Sequence, residues 1–282
     1  MKMDFNYIKI KKVELDGATI HCVQAPEDGE MVNAQLIETP NQLLLVDTLQ
    51  LVPHANELRQ YVDSLGKPLS RILITHHHPD HWFGTSSFEG FEIAAFPETI
   101  GIMGALADYL LGYHRSLHPD QPDVIPDNKV LPTVQVQEGE FDLDGLKINL
   151  IKVLDTECPV NMVVELPEEK TLLAQDLIYH QAYPYFGERT QAGEYSFDNW
   201  IATLESFETK GYRHILPGHG DPTTPEIIPV MIGYLKFVKQ QVNDGLRGQD
   251  LIQRIKAEYP DYGLELTLHM SNYMLFEFQN QG

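Results

Sequence analysis

The chain has 282 residues, 43% of them hydrophobic and 22% charged, which is long enough to bury a sizeable core and too apolar for a disordered chain. Its 41 acidic residues outnumber 20 basic ones, and the net charge of −21 repels a phosphate backbone, so nucleic acid is not an expected partner. Two cysteines, Cys22 and Cys158, allow one disulfide but no disulfide framework, which suits a reducing cytoplasm.

The opening residues, Met1-Lys2-Met3-Asp4-Phe5-Asn6, are not followed by an apolar signal core. Val32–Ile37 and Leu43–Val46 read as strands of a hairpin, joined by Glu38-Thr39-Pro40-Asn41-Gln42. Ala55–Leu65 has the spacing of an amphipathic helix ended by Gly66 and Pro68. Arg71–Ile74 is a short apolar strand running into a histidine cluster, and Phe91–Ala95 is another strand. Glu98–Ser116 reads as a helix, and His118–Asn128, with Pro119, Pro122 and Pro126, as loop. Val134–Val136, Ile148–Val153, Met162–Leu166 and Thr171–Gln175 follow as strands. Trp200–Thr209 is a predicted helix, and His214–Leu216 is a strand entering Pro217-Gly218-His219-Gly220. Glu226–Gly245 and Leu251–Glu258 close the pattern as helices, while Leu264–Phe278 shows no clear period. The longest apolar run, near Ile227–Leu235, is interrupted by Pro229 and is far shorter than the ~20 residues that span a bilayer. No membrane partner is expected. Strands mixed with helices point to layered α/β architecture, taken as one domain over 1–282 with a helical C-terminal extension over 225–282.

Four of the twelve histidines fall in Thr75-His76-His77-His78-Pro79-Asp80-His81. In an extended segment, residues two apart share a face, so His76 and His78 point together. Pro79 then turns the chain and brings Asp80 and His81 to an adjacent point. Imidazoles with a carboxylate suit zinc, iron or manganese.

The pattern His76-x-His78-x-Asp80-His81 resembles the signature of the metallo-β-lactamase superfamily. Leu43-Leu44-Leu45-Val46-Asp47-Thr48, Leu172-Leu173-Ala174-Gln175-Asp176 and Leu216-Pro217-Gly218-His219-Gly220 resemble further pieces of that family, in its order. The resemblance implies a four-layer αβ/βα sandwich with two metals, zinc in the first instance and iron or manganese as alternatives. It implies His76 and His78 on the first metal, Asp80, His81 and His219 on the second, and Asp176 bridging. Asp47 would orient the loop or a histidine rather than bind metal. One departure stands out. Members carry a third histidine before the bridging-aspartate strand, but Val153-Leu154-Asp155-Thr156-Glu157-Cys158-Pro159 has none. Asp155 and Glu157 are the candidate replacements, with Cys158 as a softer possibility.

The implied chemistry is hydrolysis of a small-molecule ester, lactone, thioester or amide by a metal-activated water, with Asp80 holding or accepting its proton. No Gly-x-Ser-x-Gly marks a serine nucleophile. Tyr179, His180, Tyr183 and Tyr185, just past Asp176, are candidates to line the substrate pocket, and the Glu98–Ser116 helix with its Pro-rich exit to cover it; His114 and His118 are expected at the surface. Alternatives on the same fold are a phosphodiesterase acting on a small nucleotide, an iron-dependent oxidoreductase, and a non-catalytic binding protein.

Overall fold

A computed structural model describes residues 4–278; Met1-Lys2-Met3 and the last residues of the expected C-terminal extension, 279–282, lie outside the described residues. By internal packing the chain divides into two units. One comprises Met1–Ile151 with Val164–Glu169, the other Lys152–Val163 with Lys170–Gly282.

The first unit is built on a seven-stranded sheet whose spatial order follows the sequence. Strands β1 (Lys9–Glu14), β2 (Thr19–Gln24), β3 (Asn33–Glu38) and β4 (Leu43–Val46) form an antiparallel meander. Strands β5 (Leu69–Leu73), β6 (Ile93–Ala95) and β7 (Val134–Gln135) then add in parallel. Parallel neighbours need a crossover. Here the crossovers are carried by helix α1 (Val52–Ser64), by the short α2 (Pro79–Trp82) with its following 3-10 turns, and by α3 (Pro97–Leu117). All four residues of β4 are buried, as expected of a strand covered on both faces. Leu36, Leu45, Ile72, Trp82, Phe83, Phe88 and Met103 belong to the core of this unit.

A second sheet has five strands in the order β12-β11-β10-β9-β8. They are β8 (Gly139–Leu143), β9 (Leu146–Leu154), β10 (Val160–Leu166), β11 (Thr171–Tyr179) and β12 (His214–His219). Asp144 and Gly145 join β8 to β9 with φ of 58° and 88°, the left-handed pair that a two-residue hairpin requires. In the second unit, α4 (Phe197–Glu208) and α5 (Ile227–Asn243) pack on one another, and the Trp200 indole N–H of α4 donates to the Leu177 carbonyl of β11 at 2.9 Å. Pro229 sits in the first turn of α5, where its missing N–H costs nothing. Helices α6 (Gly248–Glu258) and α7 (Leu266–Asn272) follow, then one π-helical turn at Tyr273–Glu277.

Three strands escaped the sequence pattern: β1, β2 and β8. Helix α1 starts at Val52, not Ala55, because Pro53 fits the first helical turn. The tail without a readable period is helical over Leu266–Asn272. Strand β11 continues past the expected end at Gln175, so Asp176 lies within the strand. Parallel pairing with β12 resumes at Tyr179 opposite His219 after two register shifts, and Gln175 takes φ of 47°. Such irregularities re-aim a side chain within a ladder.

Candidate metal centre

In the first unit the donors follow β5. At the end of β4, Asp47 is fully buried with φ of 62°. Its Oδ1 accepts the Thr75 amide N–H at 2.9 Å and its Oδ2 accepts the Thr75 hydroxyl at 2.8 Å. The same Oδ2 lies 2.8 Å from His81 Nδ1. Burial raises the Asp47 carboxyl above its usual range, against the opposing pull of His81 and Thr75. An acceptor on Nδ1 places the ring proton there and turns Nε2 into the ligand atom, the arrangement typical of metal-binding histidine. Helix α2 opens with Pro79 and carries Asp80, whose Oδ2 is 3.3 Å from His81 Nε2. The His81 carbonyl is tied to the Thr48 amide at 2.9 Å. The ring centroids of His76 and His81 are 4.2 Å apart, and those of His76 and His78 4.8 Å. The strand-to-helix turn thus gathers His76, His78, Asp80 and His81 in one place.

In the second unit the candidate donors are Glu157, Asp176 and His219. His219 Nε2 lies 3.2 Å from Asp176 Oδ2, which also accepts the Tyr179 hydroxyl at 2.6 Å. The Tyr179 and His219 rings stack, with centroids 4.7 Å apart and planes 4° apart. Gly218 makes this approach possible, since a Cβ there would stand 1.8 Å from Asp176 Oδ1. Gly220, with φ of 91°, lies against the His180 carbonyl, where a Cβ would come within 2.0 Å. Glu157 is completely buried. Asp155, with φ of 53°, is more open and accepts the Gln191 amide at 3.2 Å. The Cys158 thiol donates to the Val160 carbonyl at 3.2 Å, and burial pushes its pKa up, as expected of an inert packed thiol. Both cysteines are buried, and neither forms a disulfide among the described residues.

The residues past Asp176 take different places. The Tyr179 hydroxyl belongs to Asp176, and His180 Nδ1 donates to the Asp221 carbonyl at 2.9 Å. The Tyr183 hydroxyl donates to the Tyr259 carbonyl at 2.7 Å, so it serves the C-terminal helices. Tyr185 is buried and its hydroxyl is pushed up by that burial. His114, expected at the surface, is buried on α3, edge-on to Phe83 at 5.3 Å. Burial lowers its pKa to about 4, leaving the ring neutral at pH 7. Its place in the series Thr99, Met103, Ala107, Leu111, His114 on the buried face was the available signal.

A family model described as the metallo-β-lactamase superfamily matches residues 28–219, which contain all of these donors. The chain belongs to the metallo-β-lactamase superfamily. A linear primary-alkylsulfatase of Pseudomonas sp. is 22% identical over 262 residues, covering 78% of this chain and 49% of that protein. An uncharacterized protein of Bacillus subtilis, YobT, is 27% identical over 147 residues, covering 51% of this chain and 61% of its own. The chain therefore spans about half to three-fifths of the length of these curated relatives. Among solved structures, a metallo-β-lactamase from Pontibacter korlensis superposes with a TM-score of 0.61 at 17% identity, covering 81% of this chain and 99% of that one. The structure of TMB-1 gives 0.60 at 17% identity, over 83% and 100%. These likenesses agree with the two mixed sheets and their helices: the fold is the α/β sandwich class of this superfamily. No helix among the described residues is long and apolar enough to cross a membrane.

Proposed function

We propose that this chain is a metal-dependent hydrolase of small-molecule esters that holds two zinc ions on its histidines and carboxylates. The observation that carries it is the Asp47–His81 contact, which prepares His81 Nε2 as a ligand before any ion arrives. The first ion would take His76, His78 and Glu157, the second Asp80, His81 and His219, with Asp176 shared. Support comes from the donor chemistry: His76, His78, Glu157 and Asp176 can hold one ion, and Asp80, His81, Asp176 and His219 another. The fully buried Glu157 fills the place of the missing histidine, and Asp155 is left to its turn. A carboxylate there hardens the first site and adds one negative charge.

When bound, the metal pair supplies a water of lowered pKa and a Lewis acid for the ester oxygen. Asp80 holds that water's proton. Asp47 fixes the His81 ring, and the Tyr179 hydroxyl fixes Asp176 Oδ2. His180, oriented by the Asp221 carbonyl, stands at the substrate wall. The alkylsulfatase relative makes sulfate esters the first members of the ester class to test.

The test is metal analysis of purified protein, before and after chelation, with turnover of 4-nitrophenyl sulfate, 4-nitrophenyl acetate, a lactone, a thioester and bis(4-nitrophenyl) phosphate. The proposal expects two zincs per chain and chelator-sensitive turnover of one of the first four. Turnover confined to the phosphodiester would give the nucleotide reading instead, and iron with no hydrolysis would give the oxidoreductase reading. Full activity without metal would end the proposal.

A further inference from the structure

A cleft of about 580 Å³ lies among Arg189, Tyr195, Arg247, Gly248, Leu275 and Phe276, all in the second unit. None of them belongs to the donor sets above. The Arg189 guanidinium lies 4.6 Å from the centroid of the Tyr195 ring, and that of Arg247 4.1 Å from Phe276. The two rings meet edge to face at 6.3 Å. Main-chain carbonyls hold both heads. Arg189 donates to Gly193 O at 3.0 Å and Leu275 O at 3.3 Å, and Arg247 to Val242 O at 2.7 Å and Leu246 O at 2.6 Å.

Carbonyls orient a guanidinium without neutralising it. Arg59, Arg71 and Arg254 each pair with a carboxylate, Asp63, Glu92 and Glu258. Among the described residues, neither Arg189 nor Arg247 has a carboxylate within ion-pair distance, and the buried Arg189 Nε–H has no acceptor. Glu277, also at the cleft, accepts the Asn272 amide at 2.8 Å. That bond leaves the Glu277 charge in place, so two guanidinia against one carboxylate give the cleft lining a net charge of +1, a local positive spot in a chain of charge −21. A guanidinium offers a planar fork to an oxyanion, and apolar walls favour a ligand with an apolar body.

We infer that this cleft binds a small organic anion, with its oxyanion head on Arg189 and Arg247 and its apolar body against Tyr195, Leu275 and Phe276. The inference does not rest on the metal proposal.

The probe is hexane-1-sulfonate, which carries no ester to hydrolyse, titrated calorimetrically into the full chain, with hexan-1-ol and inorganic sulfate as comparators. One sulfonate should bind per chain, at least tenfold more tightly than either comparator. Arg247→Met should weaken it about tenfold or more, the size of one charge-assisted hydrogen bond. Arg189→Lys, which keeps the charge but loses the fork, should weaken it less than Arg247→Met. His81→Ala, in the proposed metal centre, should leave the affinity unchanged. Unaltered binding in Arg247→Met would overturn the inference, as would loss of binding in His81→Ala. Equal affinity for inorganic sulfate would overturn the apolar part of the ligand class.

Discussion

Gly218→Ala tests the geometry of the candidate centre without replacing any of its side chains. The added Cβ would stand 1.8 Å from Asp176 Oδ1, 2.8 Å from the Gln175 carbonyl carbon and 2.9 Å from the Asp176 amide nitrogen. Contacts below 3.0 Å are not sustained, so the carboxylate oxygen must retreat by at least 3.0 − 1.8 = 1.2 Å. The two backbone contacts prevent a simple rotamer change from absorbing it. A displacement of about 1 Å at a reacting centre costs on the order of a hundredfold in rate. Overpacking a tight site costs about 1–3 kcal/mol in stability. The variant should therefore fold, melt a few degrees lower, bind less than its full complement of metal and lose about a hundredfold or more in turnover. Metal content by plasma emission, a circular-dichroism melt and initial rates measure the three effects. A variant with full metal and near-normal turnover would refute the placement of Asp176 in the centre.

Asp47→Asn keeps the shape but removes the charge that sets the His81 tautomer, and metal affinity should fall about 10–100-fold in a chelator competition with unchanged far-ultraviolet circular dichroism. Asp80→Ala and His78→Ala should abolish turnover while the chain still unfolds cooperatively in urea; normal rates in either would remove the proposed mechanism. His114 makes stability depend on pH. The unfolded ring takes up its proton near pH 6.5 and the folded ring only near 4, so the contribution of the neutral ring is complete above 6.5 and is lost as pH falls toward 4. That difference of about 2.5 pKa units amounts to about 3 kcal/mol at the limit. Urea unfolding at pH 7 and pH 4.5 should show wild type losing about 2–3 kcal/mol more than His114→Gln; identical losses would mean the ring is not buried neutral.

The candidate donors stand out in the sequence because they cluster at breaks in apolar runs, as at Ile74-Thr75-His76 and Leu216-Pro217-Gly218-His219. What escaped depended on tertiary context. β1 reads Lys-Ile-Lys-Lys-Val-Glu, an edge strand whose charges discourage further pairing and hide its alternation. β8, Gly-Glu-Phe-Asp-Leu, is a second such edge. The length of β11 was unreadable because Gln175-Asp176 looks like a strand end, whereas the bulge opposite Pro217 carries the ladder through it. Spacing does not encode the difference in burial between Asp155 and Glu157: two residues apart, one accepts the Gln191 amide and the other is sealed from solvent. His114 was misjudged because a polar residue on an apolar helical stripe reads as an interruption.

The stretch after β11 is secured by Gly263 and by helix α7. Ala182 bridges to Gly263, Thr267 donates to the Tyr183 carbonyl at 2.6 Å, and the Phe186 amide reaches Ser271 Oγ at 2.8 Å. A stretch fastened in this way can be reshaped from outside, by substitutions in α7 that never approach the histidines. The candidate metal donors and the shape of the stretch beyond them are then separately editable, and a lineage can retune the second while leaving the first intact.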